Sequence, residues 1–356
     1  MLNEINKLIE ISKYAGERFD LIQAGGGNSS VKLDNGEMII KSSGFLLSEM
    51  NLKTGFTSVR NNKILEILDN SIIINEKIKK VRETLSAELV KNATISFNKP
   101  SIETLLHSLL LTYVLHTHPV VVNMISNKNN WKELFNKIFK DDNIILIDYE
   151  TPGIDLAILL KTQVDKHQIT PKIIFLQNHG LIINSDDHKE IYSLNEYVLS
   201  KIEKFLNVDF SKYKISNKIS KLFNKFGSGF LHTTFFSEDY FLNDQLKKNK
   251  DYFFYPPFCP DSFVFCGAKA VEINDLKDDS EIENYFKNYG SLPSIIIFTN
   301  HIFISAYNIK KCREKEEVLK FNIKIISNDP DNINYLSKNE LEYLGNWEAE
   351  KFRQNI

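Results

Sequence analysis

The chain has 356 residues, of which 42% are apolar and 25% are charged, as expected for a globular protein with a buried core. This length predicts two domains. The formal net charge is −2, and both signs are interspersed along the chain. This distribution argues against a nucleic-acid partner and against a polybasic membrane-binding surface.

The sequence predicts a cytoplasmic protein. Its cysteines (Cys259, Cys266 and Cys312) are too few and too scattered for a disulfide framework, and no Cys-x-x-Cys pair occurs. The first residues include an acidic side chain and no apolar core region, so we do not expect a signal peptide. No apolar run approaches the ~20 residues that are needed to span a bilayer.

The N-terminal region predicts one helix and a β-hairpin. Apolar side chains at helical spacing indicate an amphipathic helix over residues 3–19. A glycine-rich stretch, Gly25–Asn28, follows, and Asn35–Gly36 predicts a tight turn between two short strands. Consecutive glycines allow backbone N–H groups to approach an anion or a hydroxyl, although a loose turn is the simpler alternative. The stretch is neither a dinucleotide nor a Walker fingerprint.

Residues 101–119 carry the clearest chemical signal. An apolar, helix-like segment has Glu103 near its start and leads into a hydrophobic strand that ends in His116-Thr117-His118. Residues i and i+2 of a strand point to the same face, so the two imidazoles project together. Two histidines aimed at one point supply half of a zinc-type site.

A third histidine follows a later strand. Buried strands are predicted at residues 144–147 and 171–176, and the second leads into Asn178-His179-Gly180. Any one of these histidines alone is more often a packed or surface residue. Three neutral imidazoles, however, would leave an open coordination position, which distinguishes catalytic from structural zinc. Glu103 could reach the same point and exchange a proton with a metal-bound hydroxy-ketone.

A second domain is predicted after a polar linker near residues 207–228, which separates domains 1–208 and 209–356. We expect strands near residues 262–265 and 294–298. The segment Pro293–His301 echoes Pro171–His179, because an Asn-His pair stands at the same offset from each proline. The second domain is therefore interpreted as a possible degenerate relative of the first, with convergence of two buried strands as the alternative.

At these motifs the sequence resembles the class II aldolase/adducin family, which includes fuculose- and rhamnulose-phosphate aldolases and ribulose-phosphate epimerases. The matching motifs are Gly27–Lys32, Lys41–Gly44, Pro100–Glu103, His116–Pro119 and Asn178–Gly180. Their order and spacing agree from about residue 5 to residue 205. The similarity is greatest to the aldolase half of longer rhamnulose-phosphate aldolase/dehydrogenase proteins.

The resemblance implies an α/β (α+β) fold in three layers, with a central, mostly antiparallel sheet, to which a smaller C-terminal α/β domain is added. It implies Zn²⁺, or another divalent metal, on His116, His118 and His179. Glu103 would be the acid/base of an aldolase (lyase) that cleaves a ketose through a metal-stabilised enediolate. It also implies a homotetramer of carbohydrate metabolism with sites between subunits.

The resemblance further implies a sugar-phosphate substrate. The matching substrate-binding positions, most of which hold the phosphate in the family, are Gly27, Asn28, Ser43, Gly44 and Ser101. The chain departs from the family at Ile102, which replaces a serine hydroxyl. This replacement leaves open whether the sugar is phosphorylated.

Two alternatives remain at the level of sequence. An epimerase or dehydratase of a sugar phosphate would use the same metal ligands, and the residues opposite Glu103 that would separate these reactions cannot be placed. A non-enzymatic, adducin-like binding protein keeps the fold without the ligands. The intact histidine and glutamate set argues against that role.

Overall fold

A computed structural model describes residues 2–226 and 231–346. The chain forms two compact units, one up to Phe210 and the other from Ser211. Each unit has its own sheet and its own hydrophobic core. Among the described residues, no helix combines the length and the apolar character that crossing a membrane requires.

The first unit is built around a seven-stranded sheet in the order β3-β2-β1-β4-β7-β6-β5. Neighbouring strands are antiparallel, except for the parallel pair β5 and β6. The strands are β1 (Asn28–Lys32), β2 (Glu37–Lys41), β3 (Phe56–Arg60), β4 (Tyr113–Thr117), β5 (Ile144–Ile147), β6 (Ile173–Leu176) and β7 (Gly180–Ser185). The helices are α1 (Leu2–Gly16), α2 (Asn61–Leu68), α3 (Ser71–Asn75), α4 (Lys79–Ala93), α5 (Thr104–Ser108), α6 (Val120–Ser126), α7 (Trp131–Ile138), α8 (Ile154–Val164) and α9 (His188–Leu206).

Both faces of this sheet are covered. Along β2, Ile39 belongs to one hydrophobic cluster, whereas Met38 and Ile40 belong to another, as the alternation of strand side chains requires. Helices α1, α6, α7 and α9 complete the first cluster, and α2, α5 and α8 contribute to the second. The result is a helix–sheet–helix sandwich, which confirms the predicted fold class with its mostly antiparallel sheet.

The second unit has a four-stranded sheet in the order β8-β11-β10-β9, in which only β9 and β10 are parallel. Its strands are β8 (Thr233–Phe236), β9 (Val271–Ile273), β10 (Ile295–Phe298) and β11 (His301–Ala306). Its helices are α10 (Ser211–Asn224), α11 (Tyr240–Lys248), α12 (Pro260–Cys266), α13 (Ser280–Tyr289), α14 (Ile309–Ile326) and α15 (Lys338–Asn346). It is the smaller α/β part that the sequence predicted.

Two expectations about the second half were wrong. Most of the predicted linker, residues 207–228, is helix α10, which buries Tyr213, Ile219 and Phe223. Its small polar residues, such as Ser216, are buried too, and this disguised its periodicity. The strand predicted at residues 262–265 is helix α12. A short apolar run does not distinguish strand from helix, and Pro260 in the first turn favours the helix.

Candidate active site

Three histidine side chains meet at one end of the central strands. His116 lies in β4, His118 directly follows it, and His179 lies in the turn between β6 and β7. The Nε2 atom of His116 is 3.1 Å from Nε2 of His118 and 3.3 Å from Nε2 of His179. One nitrogen from each of the three rings falls within 4.8 Å of the others. The predicted ligand residues are therefore brought together.

Backbone contacts orient these rings. The Nδ1 atom of His116 is 3.1 Å from the carbonyl oxygen of Leu181, which can only accept a hydrogen bond. The ring proton therefore sits on Nδ1, and the lone pair of Nε2 faces the other imidazoles. Asn178 adopts a positive φ of 52° and makes the tight turn that presents His179. The N–H of His118 donates to the carbonyl oxygen of Leu21 at 2.9 Å.

Burial favours the neutral, metal-binding form of His116 and His118. Burial lowers the pKa of His116 to about 3, and the neighbouring rings of His118 and His179 act in the same direction. Burial also lowers the pKa of His118. A neutral ring offers a nitrogen lone pair without first releasing a proton, so these two rings can bind a divalent ion at neutral pH.

Glu103 joins the same cluster. Its Oε1 atom is 3.3 Å from Nε2 of His116 and 3.3 Å from Nε2 of His179. Its Oε2 atom accepts a hydrogen bond from Nδ2 of Asn28 at 3.0 Å. Burial alone would raise the pKa of Glu103, but His116, His179 and Asn28 outweigh it and lower this pKa. The side chain is therefore a buried carboxylate beside the imidazoles.

The predicted substrate-binding residues lie beside this carboxylate or lead towards it. Asn28 also donates to the hydroxyl of Ser101, and the amide oxygen of Asn28 is buried without a hydrogen-bond partner. Ser43 and Gly44 form an exposed turn after β2. The N–H of Ser43 donates to the carbonyl oxygen of Lys99 at 2.9 Å, which brings this turn next to the segment that carries Ser101.

Two features of this region add to what the sequence indicated. Lys41 is only 3% exposed. Burial lowers the pKa of Lys41, and the nearby carboxylate of Glu103 opposes this lowering. A lysine at the end of an apolar strand was the available signal, but the sequence analysis assigned Lys41 no role. The side chain of Ile102 is 65% exposed, so this departure from the family motif points largely into solvent.

The glycine-rich stretch packs against the histidines. A Cβ atom on Gly26 would lie 2.8 Å from Nδ1 and 3.0 Å from Cε1 of His118. On Gly27, where φ is 72°, it would lie 2.9 Å from the carbonyl oxygen of His116. These glycines therefore make room for the imidazole and its strand, a steric role that the sequence analysis did not anticipate. The contact of Gly27 with substrate stays a prediction.

Residues 6–203 match the family described as "Class II Aldolase and Adducin N-terminal domain". The match covers more than half of the chain, and the chain therefore belongs to this family. The resemblance deduced from the motifs is confirmed.

Several solved structures are similar to the chain. The N-terminal class II aldolase domain of a conserved protein from Thermoplasma acidophilum is 27% identical, with 57% of this chain and 93% of that chain covered and a TM-score of 0.49. A sugar-phosphate aldolase from Thermotoga maritima is 16% identical, with coverages of 58% and 95% and a TM-score of 0.41. The L-fuculose-1-phosphate aldolase from Thermus thermophilus is 15% identical, with coverages of 58% and 95% and a TM-score of 0.38. No curated protein sequence matches the chain.

Gly26→Ala should weaken metal binding without unfolding the protein. The added methyl group would displace the ring of His118, and a displaced ligand costs roughly 10–100-fold in affinity, as loss of a ligand's supporting contacts does. Gly25→Ala is the matched control, because its Cβ would meet only Leu46, at 4.0 Å. Zn²⁺ affinity, measured by competition with a chromophoric chelator, should fall in the first variant alone. Equal affinities would rule out the steric role of Gly26.

Proposed function

We propose that the protein is a metal-dependent class II aldolase that cleaves or forms a C–C bond in a ketose or ketose derivative. The observation that carries this proposal is the convergence of three imidazoles and one carboxylate at one end of the central sheet. A binding module has no need of such a set. Membership of the aldolase family supports the same conclusion.

His116, His118 and His179 would hold the metal, which we propose to be Zn²⁺ or another divalent ion. The residues fit this role, because nitrogen atoms with lone pairs face one another at 3.1–3.3 Å and a cation between them would stabilise that arrangement. When bound, a divalent ion would withdraw electron density from the oxygen atoms of a hydroxy-ketone and stabilise negative charge there.

Glu103 is the proposed acid/base. In aldol cleavage the hydroxyl on one carbon of the breaking bond loses its proton, and that carbon becomes an aldehyde. The electron pair of the broken bond passes to the ketone fragment, which then takes a proton on carbon. The carboxylate of Glu103 can take and return such a proton, and Asn28 fixes its orientation by binding Oε2.

An anionic or hydroxyl-rich end of the substrate would bind between Asn28, Ser101 and the Ser43–Gly44 turn. Lys41 adds a buried positive charge close to Glu103, which favours a negatively charged group such as a phosphate. The substrate is therefore proposed to be a sugar or a sugar phosphate. We also infer a cytoplasmic location from the cysteine usage and a homotetramer from the family resemblance.

His118→Ala should reduce bound metal from about one divalent ion per chain to almost none, since two of three nitrogen ligands remain. Elemental analysis of the purified protein and its circular dichroism spectrum would measure metal content and folding together. His167→Ala, at an exposed histidine, is the control and should keep the metal. Unchanged metal content in His118→Ala would exclude the ligand assignment.

Glu103→Gln should keep the metal but lower turnover by about 10²–10⁴-fold, the usual contribution of a positioned acid or base. The assay is the release of aldehyde from a panel of ketoses, phosphorylated and free, with product analysis by NMR. Glu66→Gln, at an exposed glutamate, is the control. Full activity of Glu103→Gln would remove this residue as the base. An epimer or a dehydrated sugar in place of an aldehyde would identify an epimerase or a dehydratase on the same site.

A further inference from the structure

One face of strand β1 is polar along its whole length. Asn28, Ser30 and Lys32 are alternate residues, so their side chains project to the same side of the sheet. The segment that they meet runs from Glu103 through helix α5 to Leu111. Asn28 and Lys32 are four residue steps apart, about 13 Å along the strand. Only Thr104–Ser108 of the segment is helical, and Leu109–Leu111 continue beyond the helix to the level of Lys32.

Each of the three side chains binds this segment at a different level. Asn28 donates to Oε2 of Glu103 at 3.0 Å. The hydroxyl of Ser30 is 2.7 Å from Nδ1 of His107. The segment that carries the proposed base is thus attached to β1 from its first residue onward.

Lys32 makes the most contacts of the three. Its ammonium group donates to the carbonyl oxygens of His107, Leu110 and Leu111 at 2.8, 2.6 and 2.9 Å. Three N–H donors thus meet three acceptors. Burial lowers the pKa of Lys32 to about 7, and the three carbonyl oxygens accept hydrogen bonds from its protonated form. Because α5 has only five residues, it depends on such contacts rather than on its own stability.

We propose that Lys32 is a positioning residue for the reaction: it holds the end of α5 on β1 and so keeps Glu103 beside His116 and His179. This inference rests on the proposed aldolase function. The proposed role of Lys32 concerns Glu103 and not the histidines. The histidines lie at the end of β4 and in the turn between β6 and β7, outside the segment that Lys32 binds.

The test uses Lys32→Met in the full-length protein. Amide hydrogen exchange of His107, Leu109 and Leu110, which bond within this segment, should accelerate by at least about tenfold, because the end of α5 opens locally. Metal content should not change. Turnover should fall by about 10–100-fold at a nearly constant KM, as expected for a misplaced base. Lys32→Gln, which keeps an N–H donor, should restore part of both effects.

Ser29→Ala is the matched control, because the hydroxyl of Ser29 binds Ser12 on the opposite face of β1. It removes a hydrogen bond from the same strand and should change neither exchange in α5 nor turnover. Unchanged exchange in Lys32→Met would overturn the proposal, and so would faster exchange with normal turnover. If the wild-type protein released no aldehyde, the proposed function would fail, whereas the exchange data would still decide whether Lys32 holds the segment.

An independent observation concerns the second sheet. Strands β8, β11, β10 and β9 repeat the order and the directions of β4, β7, β6 and β5. The helices repeat as well, since α11, α13 and α14 follow β8, β9 and β11 as α6, α8 and α9 follow β4, β5 and β7. Asn308 caps α14 with its side chain seven residues after β11 begins, as Asp187 caps α9 seven residues after β7 begins.

Strand register shows what replaces each metal ligand. His116 pairs with the third residue of β7, and Phe236 pairs with the third residue of β11. Phe236 therefore stands in the position of His116, and Glu238 in that of His118. The hairpin from β10 to β11 encloses two residues, whereas that from β6 to β7 encloses three. His301, which has the same offset from Pro293 as His179 has from Pro171, pairs with Phe298 and therefore lies inside the ladder instead of in the turn.

We propose that the second unit is a repeat of the β4–α9 half of the first, in which side-chain packing has replaced the metal site. Phe236 is buried, and its ring lies 5.5 Å from that of Tyr213 and 5.4 Å from that of His301. The hydroxyl of Tyr213 donates to Glu238, and the ammonium group of Lys212 lies 4.8 Å from the ring of Phe236. This cluster occupies the position that corresponds to the metal.

Zn²⁺ titration of the full-length protein tests this proposal. Wild-type protein and Glu238→Ala should bind the same number of ions, about one per chain, with the same affinity. Phe236→Ala should lower the melting temperature, because a buried ring is lost, and should leave Zn²⁺ binding unchanged. A second equivalent of Zn²⁺ that disappears in Glu238→Ala would overturn the proposal.

Discussion

The pairing of β1 with β4 is the constraint on which the candidate site depends. In this antiparallel ladder Asn28 lies directly opposite His116. The residue that binds the proposed base and the residue that offers the central imidazole are thus set side by side by backbone hydrogen bonds. A shift of one residue would turn every side chain of β1 to the other face of the sheet. The register therefore determines the chemistry of the site as well as the packing of the core.

Burial at this point lowers the pKa of His116 and, taken alone, would raise the pKa of Glu103. It disfavours protonated histidine, so His116 is neutral, whereas Glu103 remains a carboxylate because polar partners surround it. Neutral nitrogen and anionic oxygen are both suitable neighbours of a divalent cation. Burial of His116 and the polar partners of Glu103 thus together prepare the cluster for metal binding.

Much of the site could be predicted from sequence because its residues stand in short local patterns. Backbone geometry alone predicts that the two histidines of His-x-His share one face of a strand and that Asn-His-Gly forms a tight turn. The order of the motifs identified the family. The roles of Gly26 and Lys41 could not be deduced in this way, since they depend on contacts between distant segments. The helix at residues 211–224 was missed for a related reason: its small polar residues are buried, which its sequence pattern does not indicate.

His179 lies outside the hydrogen-bonded ladder that flanks it, in a turn of three residues. The corresponding turn of the second unit has two residues, and the ladder beside it is intact. In the repeat that we propose, a turn shorter by one residue removes the third ligand from its position while the sheet stays the same. The hydrogen-bonded sheet and the proposed metal site therefore depend on different residues, and one can change without the other.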